Sequence, residues 1–331
     1  MENKLIVTPL ADIIQGIDLA DAVTLWHDAL DLRTRSGELS QTTVTGYKKG
    51  MQKFTDWMQA EHPASISPDT IRHWQAYMLE SYQKRSVNTW LSGVRSFFVW
   101  CLDARLIAYS PTATVKGASR KGETQIHRKN PLTNAEVRRL MAMPDTKTAQ
   151  GARDNAILHL FLYAAMRQVE INRANLSDWQ TIGTQQVIYY QGKGHDEADD
   201  YKVILDPVED AVQLWLSYRG NKPGALFTSL SDRSQGERLS LRAIRNLIKD
   251  HMRKAGIDDP KKTTHSLRHT AITNAIVNGA TLRQVQVLAG HASANTTSIY
   301  IHNVDRLTNP GEKFIDYSNH NGNGDPSHDA L

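Results

Sequence analysis

Two arginines, two histidines and a tyrosine in this 331-residue chain have the types and spacing to do chemistry. In "THSLRHT" (264–270), His265 and Arg268 stand at i and i+3, a spacing that puts two side chains on one face of a helix. Arg167 ends the apolar stretch "AILHLFLYAAMR", His291 follows a glycine in "AGH", and Tyr300 comes nine residues later. Such a set suits work at a phosphodiester. Arginine forks bind phosphate oxygens two at a time and stay charged at any working pH. Paired, they offset the negative charge that builds on phosphorus in the transition state. A tyrosine hydroxyl can act as a nucleophile that forms a covalent intermediate, and histidine moves protons near neutrality.

The same stretch admits a metal reading, because His265 and His269 lie at i and i+4. It lacks the glutamate of the H-E-x-x-H pattern, and Arg268 would repel a cation, so no metal is expected and His269 is assigned to the scaffold. "GKG" at 192–194 lacks the upstream glycine of a phosphate-binding loop, so no nucleotide cofactor is expected either. Tyr300 taken alone would be an ordinary interface aromatic.

These residues need helices to position them, and the sequence supplies helical patterns on both sides of a polar break. Val44, Tyr47, Met51, Phe54 and Met58 recur at helical spacing, and Ser67-Pro68 opens a second helix as cap and first turn. The clearest stripe is Trp90, Leu91, Val94, Phe97, Phe98, Cys101 and Leu102. The lone cysteine lies on it and reads as a core thiol, which leaves no intrachain disulfide and favours a reducing, cytoplasmic compartment. Residues 118–130 are polar and basic and read as a linker, after which Thr133 and Glu136 form a capping box. A long helical pattern then runs through Arg167. "QQVIYYQG" and "DYKVILD" read as two strands with an acidic connection, and helix returns from Leu241, with Gly256 as its stop. Its apolar row is Leu241, Ile244, Ile248 and Met252, beside a basic row of Arg242, Arg245, Lys249 and Arg253. Three further helical stretches follow, the last around Tyr300. The end, 318–331, is nearly devoid of apolar residues and reads as disordered.

Net charge is only +4, but it is uneven: residues 1–40 are acidic and 41–130 basic, as expected if the middle of the chain meets a polyanion. Lys84, Arg85 and Arg95 on the helical half, Lys116, Arg120 and Lys121 at the linker, and Arg242, Arg245 and Lys249 further on are the candidate phosphate contacts. No run of about 18 apolar residues is present, so no membrane span is expected.

Taken together, the motifs resemble the tyrosine recombinase (phage integrase) family. "ARDNAILHLFLYAAMRQVEI" is similar to its first-arginine box, with Arg167 followed three residues on by Glu170. "HSLRHT" matches its H-x-x-R box as His265 and Arg268, and "VLAGHASANTTSIYIH" its final box as His291 and Tyr300. "YQGKGHDEADDYKVIL" sits where the family has a hairpin carrying a lysine, here Lys193, with Lys202 as the substitute candidate. Two departures stand out: the hairpin connection is acidic, and Ala165 occupies a position where many relatives have glycine.

The resemblance implies a mainly helical α+β protein with one small hairpin or sheet. A helical core-binding domain (41–117), preceded by an extension or first helix (1–40), would join a catalytic domain (131–305), the two clasping DNA as a C-shaped clamp. Residues 306–317 would contact a neighbouring protomer. It also implies site-specific recombination of double-stranded DNA at an inverted-repeat site by a homotetramer, in the cytoplasm of a bacterium or on a phage or mobile element. Tyr300 would attack the scissile phosphate and Arg167 and Arg268 would hold its oxygens. Lys193 would protonate the leaving 5′-oxygen, His265 would assist at the tyrosine, His291 would bond the phosphate, and Glu170 would orient the arginine and histidine. DNA relaxation by a type IB topoisomerase shares this chemistry and is the alternative; a non-catalytic DNA-binding protein is the weaker one.

Overall fold

A computed structural model of the chain describes residues 17–63, 65–119, 121, 130–192, 197–291 and 315. It divides into two compact units, residues 1–124 and 125–331.

The first unit is built from helices α1 (Leu19–Arg35), α2 (Gln41–Glu61), α3 (Pro68–Ser81) and α4 (Lys84–Asp103). Local chemistry sets where two of them start. Ser40 accepts from the Thr43 amide, and Ser67 accepts from the Thr70 amide while Pro68 takes the first turn. The apolar stripes then meet in one core around Trp26, Phe54, Trp74, Phe97 and Phe98, with Trp26–Phe97 and Phe54–Trp74 packed edge to face. Cys101 lies in this core, where burial pushes its thiol up to about 12, so it is packing rather than a nucleophile. Leu102, at the end of the same stripe, is exposed. Within residues 1–40, the described part forms the first helix, α1. Ala22, Trp26 and Leu30, four apart on α1, are buried in the same core, so the helical unit begins before residue 41.

α2 and α4 are held close by a pair of glycines. A Cβ on Gly50 would stand 2.4 Å from the Trp90 carbonyl oxygen, and one on Gly93 would stand 2.4 Å from that of Tyr47.

The second unit carries α5 (Asn134–Met141), α6 (Ala149–Leu162), α7 (Gln168–Arg173), a 3-10 turn (Leu176–Asp178), α8 (Asp206–Arg219), α9 (Leu241–Lys254), α10 (Thr264–Val277) and α11 (Leu282–Ala289). The Thr133–Glu136 capping box opens α5 as the sequence implied, and Gly256 follows α9 at φ +67°. Strands β1 (Trp179–Ile182), β2 (Gln185–Tyr190) and β3 (Asp200–Val203) form an antiparallel sheet in that order, with Ile188 opposite Lys202 and Tyr190 opposite Asp200. β1 is absent from the sequence reading, because four residues with one large apolar side chain at each end carry little strand pattern. The core gathers Phe161, Trp215, Phe227, Ile244 and Ile248. Of the apolar row on α9, Ile244, Ile248 and Met252 are buried and Leu241, at the first turn, is exposed. A buried ion cluster ties α6 to α9: Arg153 donates to Asp154, whose other oxygen lies 3.0 Å from His251 Nε2. The described residues are mainly helical, with one small sheet among them.

Gly93→Ala is expected to destabilise the helical unit by about 1–3 kcal/mol, because the new methyl must push two helix backbones apart. Urea denaturation followed by tryptophan fluorescence measures the loss.

Candidate functional site

The site begins where α6 stops. The sequence pattern runs one helix through Arg167, but α6 ends at Leu162 and α7 restarts at Gln168, so Arg167 caps the next helix rather than ending the previous one. The chain reverses at Ala165, whose φ is +49°. An L-residue in this left-handed region costs about 1–2 kcal/mol, and glycine would not. Two contacts hold Ala165 there. Its methyl is buried against Ile272, Val285 and Ala289, and its carbonyl accepts from Arg268 Nη1.

Arg167 is oriented from two sides. Glu170, buried at 1% side-chain exposure, accepts from the Arg167 amide at 2.7 Å and from Nη1 at 2.6 Å. Nη2 donates to the carbonyls of Ala289 (3.1 Å) and Gly290 (2.9 Å) at the end of α11. These bonds occupy three of the five guanidinium N–H groups. Arg268 is buried on α10, and its Nη2 donates to the Ala289 carbonyl as well. Two guanidinium groups therefore meet on one oxygen.

His265, one turn earlier on α10, is exposed, whereas His269 is buried. The two imidazoles of "THSLRHT" therefore differ in exposure. His291 is half-buried directly after α11. Its amide donates to the Gln286 carbonyl, and its own carbonyl accepts from Gln286 Nε2, each at 3.1 Å. Gly290 between them has φ +51°, and a Cβ there would stand 2.7 Å from the Tyr190 hydroxyl and 3.5 Å from Arg167 Nη1. No larger residue fits that turn without moving the site.

The sheet closes the other side. Lys202 on β3 is 4% exposed, its ammonium 4.7 Å from the centre of the Tyr190 ring. It donates to the carbonyls of Val287 (3.2 Å) and Leu288 (2.6 Å). Burial pushes its pKa down to about 8, with Arg268 and Arg167 acting in the same sense and Glu170 and Asp200 opposing. The Tyr190 hydroxyl donates to Asp200, and burial and that carboxylate raise its pKa. Asp200, one of the acidic residues of the hairpin connection, is thus satisfied within the protein rather than offered outward. In the sequence reading Tyr190 has no role, and Asp200 figures only as part of the acidic connection. Their signal is the period of two that puts Ile188, Tyr190, Lys202 and Asp200 on one face.

Together these groups place three cations, two carboxylates and the end of a helix in one small volume. Even against the partial negative charge of that helix end, the excess charge is positive, which suits an anion with several oxygens. Among the described residues no group of three or more His, Cys, Asp or Glu is placed to hold a metal.

Lys193, Arg120 and Tyr300 lie outside the described residues. Of the candidate phosphate contacts, Lys84, Arg85, Lys116, Lys121, Arg242, Arg245 and Lys249 are exposed. Arg95 differs: it is half-buried and donates to the Val115 carbonyl, which commits part of its guanidinium to holding the chain after α4.

Residues 130–306 match the Phage integrase family, and residues 31–105 match its N-terminal SAM-like domain. The chain is 32% identical to tyrosine recombinase XerD of Pseudomonas putida, over 80% of this chain and 87% of that protein. It is 30% identical to tyrosine recombinase XerC of Chlamydia caviae, over 88% and 92%. Its fold is similar to that of the XerH site-specific recombinase solved on a palindromic difH substrate, with a TM-score of 0.66, 19% identity and 88% of each chain covered.

Glu170→Gln keeps the shape of the site and removes the charge that Arg167 faces. It is expected to lower stability by about 1–3 kcal/mol, measured by urea denaturation, since a buried hydrogen-bonded ion pair loses one partner.

Proposed function

The chain belongs to the phage integrase family of tyrosine recombinases and is a site-specific recombinase, and we propose that Arg167 and Arg268 receive the scissile phosphate of double-stranded DNA. The observation that carries this is the meeting of both guanidinium groups on the Ala289 oxygen. Two forks aimed at one point can divide the two non-bridging oxygens of a phosphodiester between them.

In this reading Tyr300 attacks the phosphorus and forms a 3′-phosphotyrosyl bond, releasing a 5′-hydroxyl. Lys193, on the hairpin connection, protonates the leaving oxygen. His265, exposed on the turn of α10 before Arg268, assists proton transfer at the tyrosine, and His291 hydrogen-bonds the phosphate. Glu170 keeps Arg167 at the required angle. Because the phosphotyrosyl bond stores the energy of the broken one, the incoming 5′-hydroxyl can reverse the step without a nucleotide.

Affinity comes from phosphate contacts by both units, through Lys84, Arg85, Lys116 and Lys121 in one and Arg242, Arg245 and Lys249 in the other. Their exposure supports this, and binding should weaken steeply with salt. The DNA site is an inverted repeat on which four copies assemble, as befits exchange between two duplexes. Ile315, apolar and 60% exposed, supports a role for residues 306–317 in contacting the next protomer. The relatives described above are recombinases, and the topoisomerase alternative gains nothing from them.

On a nicked suicide substrate the wild-type protein is expected to accumulate a covalent protein–DNA adduct, and Tyr300→Phe none; an adduct formed by Tyr300→Phe would remove Tyr300 from its role. Arg167→Ala and Arg268→Ala should each slow cleavage by at least about 100-fold while leaving binding in a gel-shift assay much less affected. Deleting residues 306–331 should retain binding to a half-site but abolish cooperative assembly on the full site. Unchanged recombination by the truncated chain would show that assembly does not use this segment.

A further inference from the structure

Lys202, the substitute candidate for the hairpin lysine, has no part in the cleavage step proposed above, yet it is among the most buried charges of the second unit. Among the described residues it forms no salt bridge with a carboxylate. Its ammonium lies beneath α11 and donates to Val287 and Leu288, while Arg167 and Arg268 take the next two carbonyls, Ala289 and Gly290. We propose that Lys202 is a positioning residue that holds the last turn of α11, and with it the Gly290–His291 step, while the arginines turn from that turn to a phosphate. The inference rests on the assignment of the phosphate to Arg167 and Arg268.

The geometry separates the three cations by task. An arginine that moves an N–H from Ala289 or Gly290 to a phosphate oxygen loosens the carbonyl it leaves. Lys202 is nearly inaccessible, and its two carbonyls lie one and two residues earlier, so its grip is independent of the exchange. Tyr190 keeps it in register: the ring lies against the ammonium, and the hydroxyl is bonded to Asp200 and abuts Gly290. The hairpin and the His291 turn are thereby interlocked through one side chain.

The energetics favour a functional role. The groups facing Lys202 are Glu170 and Asp200, which favour its charge, and Arg268 and Arg167, which oppose it. Burial, aided by the two arginines, outweighs the two carboxylates and brings the ammonium to about 8, against an ordinary 10.5. Between those values the unfolded chain binds more protons than the folded one, so stability rises with pH through that window. At neutral pH the protonated lysine therefore weakens the fold, and a residue selected for stability alone would be apolar.

The test is single-turnover cleavage of a suicide substrate by the full-length Lys202→Met protein. Melting temperature, DNA affinity and amide exchange at Gly290 and His291 are measured on the same sample. The variant is expected to melt at or above the wild-type temperature and bind DNA normally, while exchanging faster at those two amides. Cleavage at pH 7 should be slower by roughly 10- to 100-fold, the scale of a misplacement of about 1 Å. The ratio of wild-type to variant rates should fall as pH rises through about 8, where wild type itself loses the charge. Wild-type rates in a stably folded variant, a ratio independent of pH, or a loss of activity that merely tracks a lowered melting temperature would each overturn the proposal. A substrate with a bridging 5′-sulfur needs no proton on its leaving group, so it should not rescue the variant. Rescue would make Lys202 the proton donor instead of a positioning residue. Normal cleavage by Arg167→Ala and Arg268→Ala would instead refute the phosphate assignment itself.

Discussion

The last turn of α11 is the point on which the site depends. Helix carbonyls at a C-terminus have no partners within the helix and carry its partial negative charge. Here they accept from Lys202, Arg167 and Arg268, cations that come from β3, from the cap of α7 and from α10. Elements far apart in sequence are thereby referred to one set of four carbonyls. His291 follows directly, so its position is set by the same bonds.

Several local irregularities follow from that constraint. Arg167 reaches the carbonyls because α6 breaks and the chain turns through Ala165 in a left-handed conformation. Gly290 allows the Tyr190 hydroxyl and Arg167 to approach the turn within ordinary contact distance. Each feature costs folding free energy at the place where it occurs. Like charges gathered under a helix end add to that cost, and buried Glu170 offsets part of it. Strain and charge concentrated at one location, in a unit otherwise held by a large apolar core, fit a surface shaped for a polyanion rather than for stability.

The helical unit shows the opposite economy. Its stripes are apolar, two of its helices open on serine caps, and α2 and α4 approach through two reciprocal glycines. It carries exposed basic side chains at Lys84, Arg85, Lys116 and Lys121, with Arg95 half-withdrawn into the structure to hold the chain after α4.

Much was legible in the sequence, because local patterns report local physics. Periodicity located the helices, the serine, proline and threonine caps located several starts, and the order of the arginine, histidine and tyrosine motifs identified the family. The coarse fold followed from that. What needed the tertiary structure were facts about contacts between distant residues. The helical pattern through Arg167 is apolar on both sides of the break, so nothing in the period of 3.6 distinguishes a continuous helix from one reversed at Ala165. β1 is too short to show a pattern and exists because β2 lies two residues away to pair with it. Lys202 enters the sequence reading only as the substitute for Lys193, with no sign of its burial. Only the packing of the sheet against α11 buries it and turns its ammonium onto two carbonyls 85 and 86 residues further along the chain. The sequence by itself determined which groups are candidates to meet a phosphate; the tertiary structure decided which of the described ones face one another, since burial and hydrogen-bond pairing are properties of the assembled fold.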